Sequence, residues 1–131
     1  MRTDFDLHIH GKHSGGVSPK MEIPTIAQEA QKKGLDIVGT GDILNPKWLR
    51  HVKEETEGKG GYLQRNQIKF IPTTEVEDED RIHHLIIFPD LETVEKAYRD
   101  FQELSEDIRR EGRPRIKENR EKIVEIAKKH D

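Results

Sequence analysis

The sequence predicts an α/β fold of about four parallel-type strands with flanking helices. Three observations carry the prediction. Short apolar runs rich in β-branched residues alternate with longer stretches in which apolar residues recur at helical spacing. The strand-like runs end in glycine, threonine or acidic and imidazole side chains, as strands do where they open onto a site. The length, 131 residues, suits one domain, and its apolar residues, 31% against 37% charged, are grouped and periodic enough to make a thin core.

Taken in order, Phe5 to His8 reads as a short strand entering a Gly- and Ser-rich loop, Gly11 to Ser18, that pivots on Gly15-Gly16. Ser18-Pro19 opens a helical stretch with Ile23, Ile26, Ala27 and Ala30 on one stripe, and Gly34 closes it as a C-cap. Leu35 to Val38 fits a buried parallel strand. After Asp42 a second helix starts at Pro46, capped by Asn45, with Trp48, Leu49 and Val52 turned inward, and Glu57 to Gly61 breaks it. Ile68 to Ile71 is a third strand and Ile82 to Phe88 a fourth, with the acidic segment Val76 to Asp80 as a hairpin tip or loop between them. Pro89-Asp90 ends that strand; Leu91, Val94, Ala97, Tyr98, Phe101 and Leu104 then recur at helical spacing as core positions. Gly112 to Pro114 punctuates the chain before a last amphipathic helix, Glu118 to Lys129, which carries Ile123, Ile126 and Ala127.

Composition narrows the chemistry. Without cysteine there is no disulfide framework and no thiolate site, so any metal is held by His, Asp and Glu, and an intracellular protein is favoured. No apolar stretch approaches the roughly 18 residues of a membrane span, and no signal-peptide core or lipidation motif occurs, so the expectation is a cytoplasmic protein with no membrane partner. Abundant Lys and Glu is a drift seen in heat-adapted proteins. A net charge of −3 argues against a broadly basic surface. Two local runs, basic at Arg109, Arg110, Arg113, Arg115 and Lys117 and acidic at Glu75 and Glu77 to Asp80, read as solvated surface.

The candidate site is a set of strand ends. Asp6-Leu7-His8-Ile9-His10 places two imidazoles at i and i+2, which share one face of a strand and can reach one cation. Alone, such a pair is an ordinary pair of histidines. It gains meaning beside Asp42 after the second strand, Glu75 after the third and His84 in the fourth. Mixed imidazole and carboxylate donors suit Zn²⁺, Mn²⁺ or Fe²⁺ better than Ca²⁺ or Mg²⁺. A bridging Glu75 could hold two ions near each other, and such a pair would bind a phosphate oxygen, lower the pKa of a water and offset charge on a leaving oxygen. No Ser-His-Asp order, Walker loop or dinucleotide fingerprint occurs, and Gly39-Thr40-Gly41 reads as close backbone approach rather than a nucleotide cradle.

These residues carry a resemblance. The Asp-Leu-His-x-His opening, the strand ending Thr40-Gly41-Asp42, the Thr-Glu at Glu75 and the His84-Leu85-Ile86 strand resemble the first motifs of the PHP (polymerase and histidinol phosphatase) metal-dependent phosphoesterases. The runs Gly34 to Trp48, Thr73 to Asp78 and His83 to Pro89 more narrowly resemble the N-terminal part of endonuclease Q, a set of mainly archaeal PHP-type enzymes that nick DNA on the 5′ side of deaminated bases and abasic sites. The resemblance spans Asp6 to Asp131. It implies divalent metal, whether Zn, Mn, Mg or Fe, two or more ions in a complete domain, on His8, His10, Asp42, Glu75 and His84, with His8, His10 and Glu75 central to catalysis. Asp42 stands where many relatives carry a histidine. His84 fits the later histidine ligand better than His83, which would then face the other side of its strand. The residue usual just after the first motif falls at Gly15 or Gly16, which cannot ligate, and His13 is the candidate substitute.

The resemblance also implies a partial (β/α) barrel of the PHP type. Such barrels draw further ligands from strands beyond Asp131, so Met1 to Asp131 reads as the N-terminal portion of a PHP-like domain whose barrel is incomplete in this chain. The function implied is phosphodiester hydrolysis by an endonuclease acting on damaged duplex DNA, with Lys12, Lys47 or Arg81 touching phosphates. Two other readings stand beside it. One is a small-molecule phosphatase of the PHP class. The other is a non-catalytic fragment, inactive alone, that forms a homo-oligomer to cover an open sheet edge.

Overall fold

The computed structural model of the chain describes residues 2–59 and 62–130. Local signals set its helices. In α1, Ile23–Lys33, the buried residues are Ile23, Ile26, Ala27 and Ala30, and Gly34 ends the helix at φ 76°. The proline at Pro19 does not open this helix; it sits in a turn with Lys20, Glu22 is the extended N-cap, and Pro24 occupies the first helical turn. In α2, Pro46–Glu55, the Asn45 side chain accepts from the N–H groups of Lys47 and Trp48 at 3.0 and 3.1 Å, satisfying two of the donors a helix start leaves bare. Helix α3, Leu91–Phe101, is capped by Asp90 and followed by a 3₁₀ turn at Gln102–Leu104; α4, Arg120–Lys129, is capped by Asn119. No helix among the described residues is long and apolar enough to cross a membrane.

The strands are β1 Phe5–Asp6, β2 Ile37–Gly39, β3 Glu57–Lys59, β4 Tyr62–Arg65, β5 Ile68–Ile71, β6 Thr73–Glu77 and β7 His83–Ile87. One sheet has the order β1-β2-β5-β4-β3. Its β1, β2 and β5 are parallel, as the alternation of strands and helices predicts. Its other half departs from prediction: β3, β4 and β5 are antiparallel, so the chain leaves α2 through a hairpin rather than a plain loop. Glu57 to Lys59 of the expected break are β3, and Gly60 and Gly61 lie outside the described residues.

At Pro72 the chain turns off this sheet. A proline has no N–H to give to a ladder, and β6 beyond it pairs antiparallel with β7 in a separate two-stranded sheet. The fourth strand is thus antiparallel to the one before it, not of parallel type, and the fold is mixed α/β. Val76 and Glu77 belong to β6, so the hairpin tip is shorter than the acidic segment. The free side of β6 is taken by the extended segment around Arg115, through Glu77 N–H to Pro114 O at 3.0 Å and Ile116 N–H to Glu77 O at 2.7 Å.

Trp48, Phe70, Phe101, Ile23, Ile43 and Leu44 are the largest fully buried side chains of a single core. Tyr98 packs on it from the rim. The hairpin adds Val76 and Ile86 from one face. Its other face carries Glu75, Glu77 and His83, because side chains two apart along a strand, and those directly opposite across a ladder, share a side. That face is where the site forms.

Candidate metal centre

Close backbone approach builds the floor. The Gly39 Cα sits so near β1's continuation that a Cβ there would lie 2.6 Å from the Leu7 carbonyl oxygen and from Thr73 Oγ1. A Cβ on Gly41 would collide with the Ile9 carbonyl, and Gly41 and Asp42 both have positive φ, 62° and 49°. Two left-handed residues in succession turn the chain sharply after β2 and tuck the Asp42 carboxylate under His10. Thr40 and Thr73 lock this corner: Thr73 N–H donates to Thr40 Oγ1 at 3.1 Å, and Gly41 N–H to Thr73 Oγ1 at 2.9 Å. Gly39-Thr40-Gly41 is therefore close packing of backbone, as the sequence suggested.

On that floor the described residues bring three donors to one point. His8 Nε2 lies 2.5 Å from Glu75 Oε2, and His10 Nε2 lies 2.9 Å from the same oxygen. One donor atom from each of His8, His10 and Glu75 falls within 4.8 Å of the others. The strand itself stops at Asp6, yet the i, i+2 geometry survives in the chain that continues it. Glu75 is buried, His10 partly buried, and the His8 side chain is 55% exposed, so the cluster opens to solvent on one side.

Asp42 is not among the converging donors. Fully buried, it accepts from His10 Nδ1 at 2.9 Å, from Gly11 N–H at 2.5 Å and from Ser14 Oγ at 3.0 Å. A carboxylate on Nδ1 fixes the imidazole's orientation and leaves Nε2 facing Glu75, the arrangement by which proteins orient metal-binding histidines. The hydrogen bond from His10 to Asp42 does most to raise the His10 pKa; burial opposes it, and the charges of Asp42 and Glu75 add to the rise. Burial works to raise the Glu75 pKa, but the hydrogen bond from His8 and the fields of His10, His8 and His83 outweigh it and hold the carboxyl below its ordinary value.

The later histidine is placed differently from the prediction. His83 Nδ1 lies 2.7 Å from Glu75 Oε1, whereas His84 Nε2 lies 2.8 Å from Asp78 Oδ2 at the hairpin tip. The reason is register. His83 is opposite Glu77 and His84 opposite Val76, so His83 shares the Glu75 face and His84 shares the core-ward face with Val76. Because β7 is antiparallel, its amino end, not its carboxyl end, reaches the site.

His13 does not substitute in the cluster; its ring stands edge-on to Trp48, and burial, then Lys12 and Lys47, keep its pKa low. The three predicted phosphate contacts also lie elsewhere. Lys12 is 3.1 Å from Glu22, Lys47 is exposed on the first turn of α2, and Arg81 holds a positive-φ position at the hairpin tip. Among the described residues none of them pairs with His8, His10 or Glu75. Sequence reasoning missed Ser14, which spans Asp42 and His10, and Arg113, whose Nη1 is 4.0 Å from Glu75 Oε1. The signal for Arg113 was present: 112 to 117 alternates buried Gly, Pro and Ile with exposed Arg, Arg and Lys.

Two imidazole nitrogens and a carboxylate meeting in a half-open cleft fit a divalent transition metal. Comparison with known proteins places the arrangement in context. No family model matches the chain. An uncharacterized protein of Methanocaldococcus jannaschii is 38% identical over 128 residues, which are 98% of this chain and 15% of the relative. The crystal structure of a lesion-specific endonuclease from Pyrococcus furiosus superposes with a TM-score of 0.96 at 43% identity, over 98% of this chain and 32% of that one. Endonuclease Q bound to a 27-mer duplex with an abasic lesion at its active site gives 0.95 at 43% identity, over 98% and 33%. The structural neighbours of this chain are thus endonuclease Q chains, of which it spans about a third.

Proposed function

We propose that this chain is the N-terminal part of a PHP-type, metal-dependent phosphodiesterase, and that the polypeptide containing it nicks damaged duplex DNA. The observation that supports this most is the convergence of His8, His10 and Glu75 within 4.8 Å, in a chain that superposes at 0.96 on a lesion-specific endonuclease. His8, His10 and Glu75 would hold a divalent ion, with His83 beside Glu75, and Asp42 would keep His10 Nε2 pointed at it. Such an ion would supply Lewis acidity at a phosphate oxygen. The residues do the rest: Glu75 gathers three imidazoles, Asp42 and Ser14 fix one of them, and the exposed side of His8 leaves an approach for a large substrate.

The test is nicking by the intact polypeptide with Mn²⁺ or Mg²⁺ on a duplex carrying an abasic site, deoxyuridine or deoxyinosine. Cleavage at the lesion, abolished by His8→Ala, is expected. Equal cutting of undamaged duplex would sink the lesion-specific part, and activity on histidinol phosphate with none on DNA would select the small-molecule phosphatase.

One set of observations favours a second reading, a non-catalytic piece that self-associates. Among the described residues β1 and β7 each have one unpaired edge, and Phe5, Leu85 and Ile87 are 61%, 42% and 52% exposed there. A concentration-dependent dimer in sedimentation, with no metal by elemental analysis, would select that reading.

A further inference from the structure

Resting on the phosphodiester reading above, we propose that Arg113 is the phosphate-binding residue of this site, its guanidinium taking an oxyanion of the phosphoester beside Glu75. The segment that carries it is held on both sides. Gly112 N–H donates to His13 O at 3.2 Å, and the Gly112 Cα packs so tightly that a Cβ would meet Ser14 Oγ and lie 2.5 Å from the Asp42 carboxylate. Asn45 Nδ2 donates to Glu111 O at 3.2 Å just before it, and Pro114 O accepts from Glu77 N–H at 3.0 Å just after it. The same side chains that shape the His10 wall therefore fix where Arg113 stands.

The strand-like alternation of this segment turns Arg113, Arg115 and Lys117 outward together. Two of the three are neutralised, Arg115 by Glu77 at 2.9 Å and Lys117 by Glu106 at 2.5 Å. Among the described residues Arg113 has only a 4.0 Å approach to Glu75 Oε1, an oxygen that His83 already engages at 2.7 Å. Its side chain is 44% exposed and lines, with His10, Ser14, Gly15 and Glu111, a cleft of about 110 Å³. In the same measure one water needs roughly 10–15 Å³, so the cleft takes a larger group. A wider groove of about 400 Å³ shares Arg113 and Glu111 and is lined beyond them by both signs of charge, Arg110, Arg115 and Lys117 with Glu77, Glu106 and Asp107. A planar guanidinium matches two phosphate oxygens, which a lysine does not. Glu111 in the cleft opposes an anion, so Arg113 and a bound cation must act together to hold one.

The experiment is calorimetric titration of inorganic phosphate into the metal-loaded, intact polypeptide at fixed ionic strength. Loss of a charge-assisted bidentate contact in Arg113→Ala should weaken phosphate by about tenfold or more. Arg113→Lys should fall between, and Arg99→Ala, an exposed arginine of α3 that lines neither cleft nor groove, should match the unsubstituted protein. Metal content by elemental analysis and far-UV circular dichroism should be the same in all four. Phosphate binding of equal strength in Arg113→Ala overturns the role of Arg113 and leaves the metal site standing. No phosphate binding by the metal-loaded, unsubstituted protein overturns the phosphodiester reading itself, and this proposal with it.

Discussion

Replacing Asp42 by asparagine isolates the contribution of one buried charge to metal binding. The substitution is isosteric, and asparagine tolerates the φ of 49° at this position as well as aspartate does, so the turn after β2 should survive. Of the three hydrogen bonds Asp42 accepts, those from Gly11 N–H and Ser14 Oγ can pass to the amide oxygen. The amide NH₂ then faces His10 Nδ1, which must become an acceptor and move its proton to Nε2, the atom that faces Glu75. A charge-assisted hydrogen bond contributes about 1.5–3 kcal/mol, and a tenfold change in affinity corresponds to about 1.4 kcal/mol. Asp42→Asn should therefore weaken Zn²⁺ or Mn²⁺ by about 10- to 100-fold, the usual range for partners of metal-binding histidines. The assay is competition with a chromophoric chelator at pH 7, with circular dichroism to show the fold unchanged. A folded Asp42→Asn protein that binds metal within about twofold of the unsubstituted chain would refute the role given to Asp42.

Three further outcomes are expected. His83→Ala should lower metal affinity while His84→Ala should leave it unchanged and reduce stability through the loss of its contact to Asp78, read by the same competition and by thermal unfolding. Thr74→Val should raise the thermal midpoint by a few degrees, since Thr74 Oγ1 is a buried hydroxyl without a hydrogen-bond partner among the described residues and valine has its shape; a lower midpoint would contradict this. His51 accepts from Ile23 N–H at 3.0 Å and so caps α1 while neutral, and burial holds its pKa below the ordinary value. Its contribution is then present above the unfolded pKa, about 6.5, and is lost as pH falls through that value towards the folded one. His10, whose pKa is raised, contributes with the opposite sign, so the assay is the difference in stability between His51→Gln and the unsubstituted chain at pH 7.5 and 5; a difference that does not shrink at pH 5 would refute the cap.

What was legible in the sequence was local. Asn45-Pro46 and Gly34 announce helix ends because a cap needs only its own neighbours, and Gly39 and Gly41 announce a crowded corner because nothing larger fits. His8 and His10 were readable because spacing along one extended segment decides where both point. The rest depended on partners distant in sequence. Whether His83 or His84 faces Glu75 turns on the pairing of β7 with β6, which a swap of one residue reverses. The direction of β7 follows from the tight turn, Asp78 to Ile82, that folds it back on β6, and the β3–β4 hairpin carries too little apolar alternation to be seen. Asp42 resembled a ligand until its positive-φ turn placed it behind His10.

The central claim, that His8, His10 and Glu75 hold a divalent metal, is tested most directly by anomalous diffraction from crystals grown with Zn²⁺ or Mn²⁺. A peak is expected within about 2.0–2.2 Å of His8 Nε2, His10 Nε2 and a Glu75 oxygen. A metal-loaded crystal with no peak there, or with its only peak at His84 and Asp78, would contradict it.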